Sequence, residues 1–146
     1  KERVEAFTPQ AQGKNITLTI DLEPNLRQLI FDKTRLAQVL NNLLSNALKF
    51  TQAGGVVKVR AKDLDNGVEV SVQDSGIGIP PDKQNLLFSK FSQVHVPHPA
   101  GEGTGLGLYI TRGIIEAHGG KINLTSDVNR GTTVTFSLPE KPTFLN

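Results

Sequence analysis

Cysteine, methionine and tryptophan are all missing from this 146-residue chain, and tyrosine occurs once. Without cysteine there can be no disulfide and no thiolate metal site. The chain opens on Lys1 rather than methionine, which leads to the expectation that it is a piece of a longer protein. No run approaches the ~20 apolar residues that a bilayer-spanning helix requires, and nothing at the start reads as a signal peptide. Basic residues are scattered singly and the formal charge is +2. A nucleic-acid face would need them clustered, so no nucleic-acid partner and no direct membrane contact are expected. These features suggest a reducing, cytoplasmic setting. The length suits one core and is short for two ordinary domains, so a single domain over 1–146 is expected.

What is present is patterned. Residues 1–15 read as a lead-in segment, a short helix broken by Pro9 and Gly13. Ile16, Leu18, Ile20 and Leu22 alternate with polar residues, the mark of a half-buried strand. From Asp32 the period changes: Leu36, Leu40, Leu43 and Ala47 recur at three- and four-residue steps, predicting a helix over 33–50. Val57, Val59 and Ala61 pair in pattern with Val68, Val70 and Val72 across Asp65-Asn66-Gly67, a hairpin signal. Ile122 and Leu124 pair likewise with Val134, Phe136 and Leu138 across Asn129-Arg130-Gly131. Between the hairpins lie a Gly/Pro loop (74–81), a short helix (82–90), an irregular stretch (91–104) and a longer helix (105–118). The expected fold is an α/β (α+β) two-layer sandwich with a mixed, largely antiparallel sheet and helices on one face.

Three polar features stand out. On the first long helix, Gln38, Asn42, Asn46 and Lys49 share one face, opposite the leucines. A solvated face would more naturally use Glu, Lys or Arg, because Asn is a poor helix former. An Asn side-chain oxygen suits Mg²⁺, and a lysine one turn on could meet phosphate oxygens. Second, Asp74-Ser75-Gly76-Ile77-Gly78-Ile79-Pro80 follows a strand directly. It can be a plain tight turn. A carboxylate there can also accept a hydrogen bond from an exocyclic amino group such as adenine N6, and a guanine carbonyl would be rejected. Ile77 and Ile79 would then wall a purine. Third, Gly101-Glu102-Gly103-Thr104-Gly105-Leu106-Gly107-Leu108 opens an apolar helix. Its backbone N–H groups and the helix N-terminus suit an anion. It is neither a P-loop nor a dinucleotide fingerprint, since neither spacing occurs.

The order of these boxes, with paired phenylalanines Phe88 and Phe91 between the second and third, resembles the catalytic domain of sensor histidine kinases. That domain's superfamily includes DNA gyrase, the ninety-kilodalton heat-shock chaperones and MutL. The resemblance runs from about Ile16 to Leu138 and implies the following roles. Asn46 ligates Mg²⁺, Asn42 lines the phosphate side, Lys49 contacts phosphate, and Phe50 lies beside the nucleotide. Asp74 reads adenine in a loop shaped by Gly76 and Gly78 and walled by Ile79. Lys90, Gly103, Thr104, Gly105, Leu106 and Gly107 serve the phosphates, with 92–103 as a flexible ATP lid. Gly131-Thr132-Thr133 matches the closing motif, and Thr133 is taken into the site. Asn42 stands near the position where water-using relatives resemble one another in having a glutamate, so the resemblance implies phosphotransfer rather than hydrolysis.

Family members of this kind pass the γ-phosphoryl of ATP to a histidine on a dimerisation domain and serve a response regulator. None of His95, His98 and His118 stands in the acceptor context, a histidine followed by an acidic residue on a helix. The acceptor helices are therefore expected in the parent protein before Lys1. This domain is expected to be a monomer that binds ATP and Mg²⁺ with little kinase activity alone, and the parent a homodimer for which a membrane anchor is compatible with the reading. His118 reads as a helix C-terminal residue, and a metal site at His95 and His98 is not expected. The alternative is a degenerate module that holds nucleotide, or nothing, and acts through protein contacts.

Overall fold

The fold was analysed in a computed structural model that describes residues 1–84, 86–88 and 107–142. Two short helices come first, α1 (Glu2–Glu5) and α2 (Thr8–Gly13). The expected break falls between them, just before Pro9, and α2 ends at Gly13. Pro9 sits in the first turn of α2, where its missing N–H has no helical partner to lose. β1 (Thr17–Leu22) and α3 (Lys33–Phe50) follow. Asp32 caps α3, its carboxylate accepting the Arg35 N–H at 3.1 Å, which satisfies one of the orphan donors of the first turn.

The sheet is completed by β2 (Val56–Leu64), β3 (Gly67–Asp74), β4 (Lys121–Asp127) and β5 (Gly131–Pro139), in the order β1-β2-β3-β5-β4 among the described residues. β1 runs parallel to β2 and every other pair is antiparallel. The expected mixed, largely antiparallel sheet is therefore present. Register explains the single covered face. Val59, Val72, Val134 and Leu124 form one cross-strand row, and Ala61, Val70, Phe136 and Ile122 form the next. Side chains alternate across a strand, so these rows all point one way. They meet Val39, Leu43, Leu44, Ala47 and Leu48 of α3 and Ile115 of α5 (Gly107–Ala117) in one core.

Between β3 and α5 the helix expected over 82–90 is shorter in its described part. α4 spans Pro81–Gln84, and the Leu86 and Leu87 N–H groups then bond three residues back, to Lys83 and Gln84. That tighter pattern ends the α-helix. Leu87 is buried there. Among the described residues no helix is long and apolar enough to cross a membrane.

α3 and α5 pack antiparallel, joined by polar links at both ends. His118, just past α5, is buried. Its Nδ1 lies 2.8 Å from the Ile114 carbonyl, and its Nε2 accepts the Asp32 N–H at 3.0 Å. At the other end, Asn42 Nδ2 donates to Thr111 Oγ1 at 3.3 Å and to the Gly107 carbonyl at 3.5 Å.

Candidate functional site

At the end of the interlayer space where β3 finishes, the two layers leave a cavity. Counting the open space at its mouth it encloses about 660 Å³, a size typical of small-molecule sites. Leu43 and Ala47 of α3 and Leu108 of α5 form one wall, and Val72, Leu124 and Val134 form the sheet floor. The polar groups in this lining are few: Asn46, Asp74 and Thr132.

Asp74 lies in the same register row as Val57, Thr132 and Ser126. It therefore points to the covered face, where the preceding rows are apolar. Its Oδ1 accepts two backbone N–H groups, Gly76 at 2.9 Å and Thr132 at 3.2 Å. Oδ2 has no donor among the described residues. Burial pushes the carboxyl up to about 6, against the lowering effect of those two hydrogen bonds. Desolvation disfavours the charged form, and two donors to one oxygen do not offset it.

The loop after Asp74 is folded onto neighbouring backbone. Gly78 has φ +72°, and a side chain there would run into the Asp127 carbonyl of the β4–β5 hairpin. The Asn129 N–H bonds the Ile77 carbonyl at 2.8 Å, so loop and hairpin hold each other. This closeness requires glycine for two reasons, the left-handed backbone and the missing Cβ. It also sets Ile77 and Ile79 at the cavity wall.

Of the residues singled out from the sequence, the structure gathers Asn46, Phe50, Asp74, Gly78 and Ile79 around this cavity, with Gly76 in the loop that holds Asp74. Gly107 of α5 lies beside Asn46, since a methyl group on it would come within 3.9 Å of Asn46 Nδ2. Lys49 instead stands 5.4 Å from the centre of the Phe50 ring, and the Asn42 amide is turned to α5. The polar stripe of α3 keeps one helical face but its side chains meet different partners: Arg35 for Gln38, α5 for Asn42, the cavity for Asn46 and the Phe50 ring for Lys49. Thr132, not Thr133, lines the cavity. Thr133 pairs with Gln73 and Thr125 and the pleat points it to the opposite sheet face. The alternation of Val134, Phe136 and Leu138 carries that signal already. Phe88 is half-buried. Lys90, Phe91, Gly103, Thr104, Gly105, Leu106, His95, His98 and the stretch 92–103 lie outside the described residues.

Residues 31–142 match the family model described as "Histidine kinase-, DNA gyrase B-, and HSP90-like ATPase". The chain belongs to this family. The circadian input-output histidine kinase CikA of Synechococcus elongatus is 44% identical over 136 residues, covering 90% of this chain and 18% of that protein. Among solved structures, the catalytic domain of histidine kinase ThkA superposes with a TM-score of 0.84 at 34% identity, covering 97% of this chain and 91% of that one. Full-length ShkA, in complex with AMPPNP, gives a TM-score of 0.85 at 31% identity, covering 98% of this chain and 29% of that one. This is a histidine-kinase-type ATPase domain, of the kind carried by two-component sensor kinases. It spans 18% of CikA and 33% of the sensory kinase SasA, so the curated relatives are much longer proteins.

Proposed function

We propose that the domain binds ATP with Mg²⁺ and presents the γ-phosphoryl group to a histidine on a separate dimerisation domain of its parent protein, a cytoplasmic step in two-component signalling. The observation that carries this reading is a half-buried carboxylate, Asp74, set at the end of an apolar cavity with one oxygen that has no donor among the described residues. The relative ShkA, whose structure holds AMPPNP, shares the fold over 98% of this chain.

The residues fit the proposed ligand by type. A purine needs apolar walls, which Ile77, Ile79, Val72 and Leu124 supply, and a 6-amino group needs an acceptor, which Asp74 Oδ2 supplies. Asn46 would hold Mg²⁺ through its side-chain oxygen, the hard donor that this cation prefers. Asn42 keeps Gly107 and Thr111 of α5 registered against α3. Lys49, close to Phe50, would neutralise phosphate charge near the cavity mouth. Bound ATP supplies the transferable phosphoryl group. The domain contributes orientation and charge neutralisation, which is most of what phosphoryl transfer asks of a protein. The glycine box, Lys90 and the lid are proposed to close over the phosphates. The acceptor histidine, the homodimer and the response regulator belong to the parent protein in this reading.

The test is a calorimetric titration with non-hydrolysable ATP and GTP analogues, each with and without Mg²⁺. Saturable binding of the adenine ligand alone, tightened by Mg²⁺, is expected. Binding of neither would instead favour a module that acts through protein contacts.

A further inference from the structure

Thr132 and Asp74 are backed by a third polar residue in the same register row, Ser126 of β4. Ser126 Oγ accepts the Ile79 N–H at 2.8 Å, donates to the Gly131 carbonyl at 3.0 Å and lies 2.8 Å from Thr132 Oγ1. A serine hydroxyl has one proton and two lone pairs. With the proton on Gly131 O, the lone pairs take the Ile79 N–H and the Thr132 O–H. All three capacities are then filled. The Thr132 proton is thereby committed, and its oxygen can only accept. From the α4 side, Gln84 Nε2 donates to the carbonyls of Ile79 at 2.8 Å and Ser126 at 2.9 Å, holding the same two residues in place.

We propose that Ser126 is a specificity-determining residue: by accepting the Thr132 proton it leaves the cavity end with two acceptors, Thr132 Oγ1 and Asp74 Oδ2, and so selects a base edge bearing an exocyclic amino group. This rests on the adenine-nucleotide reading of the cavity. Ser126 does not touch the ligand and acts through Thr132. A 6-oxo purine sets a carbonyl oxygen against acceptors that cannot donate to it, an unpaired and repulsive arrangement. Without the Ser126 hydroxyl, the Thr132 O–H is free to rotate and donate. A 6-oxo base then finds a partner, while a 6-amino base loses one acceptor.

The experiment titrates the chain with the non-hydrolysable ATP analogue and its inosine counterpart in Mg²⁺, for wild type, Ser126→Ala and Ser126→Thr. The two ligands share the phosphates and differ on one base edge, amino against oxo at the 6-position and a bare N1 against an N1–H, so it is the change in ratio between variants that reads the Ser126–Thr132 pair. In Ser126→Ala the affinity ratio is expected to fall at least about fivefold, roughly 1 kcal/mol, and in Ser126→Thr to stay near wild type. A proportional loss for both ligands in Ser126→Ala, with the ratio unchanged, would make the residue a structural prop and overturn the inference while leaving the base reading intact. A wild-type ratio near one would overturn the base reading and this inference together. If Ser126→Ala does not fold, Ser126→Cys is read the same way, since its weak thiol acceptor releases the Thr132 proton. A lowered ratio supports the inference and an unchanged one overturns it.

Discussion

Across the β3–β5 pair, the backbone N–H of Thr132 donates to Asp74 Oδ1 at 3.2 Å, and the Gly76 N–H donates to the same oxygen at 2.9 Å. Both fixed donors thus serve one side of the carboxylate. The other oxygen has no donor among the described residues, and it belongs to a group that burial drives toward its neutral form.

The effect of that burial is measurable as stability. The carboxyl is raised from 3.8 to about 6 in the folded chain, so the native state binds more protons than the unfolded chain between those values. Its stabilising contribution is complete below about 4 and lost as pH rises through about 6. Asp74→Asn keeps an oxygen for both backbone donors and removes the titration. It should stabilise the unliganded chain by up to about 3 kcal/mol at pH 7.5, shrinking toward nothing at pH 4. Urea unfolding at the two pH values checks this, and nucleotide binding should be lost in the same variant.

The same carboxylate predicts a pH limit on base selection. A neutral carboxyl is a poorer acceptor for an amino group, so preference for the adenine over the hypoxanthine nucleotide should weaken as pH falls below about 6. Phosphate titration is common to both ligands and cancels in the ratio. Calorimetry at pH 7.5 and pH 5.5 measures it.

Gly78 has no room for a side chain. Gly78→Ala must either strain a left-handed residue or push the Asp127 carbonyl and the β4–β5 hairpin away. A cost of about 1–3 kcal/mol is expected, together with at least about a tenfold loss of nucleotide affinity. Thermal unfolding and titration give the two values.

Asn42 is predicted to matter through α5. Asn42→Ala removes donation to Thr111 and Gly107 and should cost about 1 kcal/mol. Asn42→Asp sets a carboxylate toward the Gly107 carbonyl and should cost more, a ranking that chemical denaturation resolves.

Much of this architecture could be read from the residues. The two hairpins and α3 follow from alternation at Val57–Val72, Ile122–Leu138 and Leu36–Ala47, because each pattern is local and its partner is near. Asp74 and its glycine loop were legible because a carboxylate ending an apolar strand has few structural reasons to be there. The parallel pairing of β1 with β2 was not, since nothing in Thr17–Leu22 states its neighbour. The contacts of Asn42 with Gly107 and Thr111 were not legible, because those partners lie more than sixty residues away. Thr133 was chosen over Thr132 by motif position, although the parity of β5 already pointed to Thr132. Gln84 was overlooked because its role depends on two carbonyls that only the folded loop and hairpin bring together.

The central claim is that an adenine nucleotide enters the cavity and meets Asp74. The most direct measurement is an amide nitrogen–proton NMR titration of the chain with the non-hydrolysable ATP analogue and Mg²⁺. The Gly76 and Thr132 amides, both bonded to the Asp74 carboxylate, should shift strongly together with Ile79. Thr19, Lys58 and Ser71, on the sheet face away from the helices, should stay still. Unmoved Gly76 and Thr132 amides at saturating nucleotide would contradict the account.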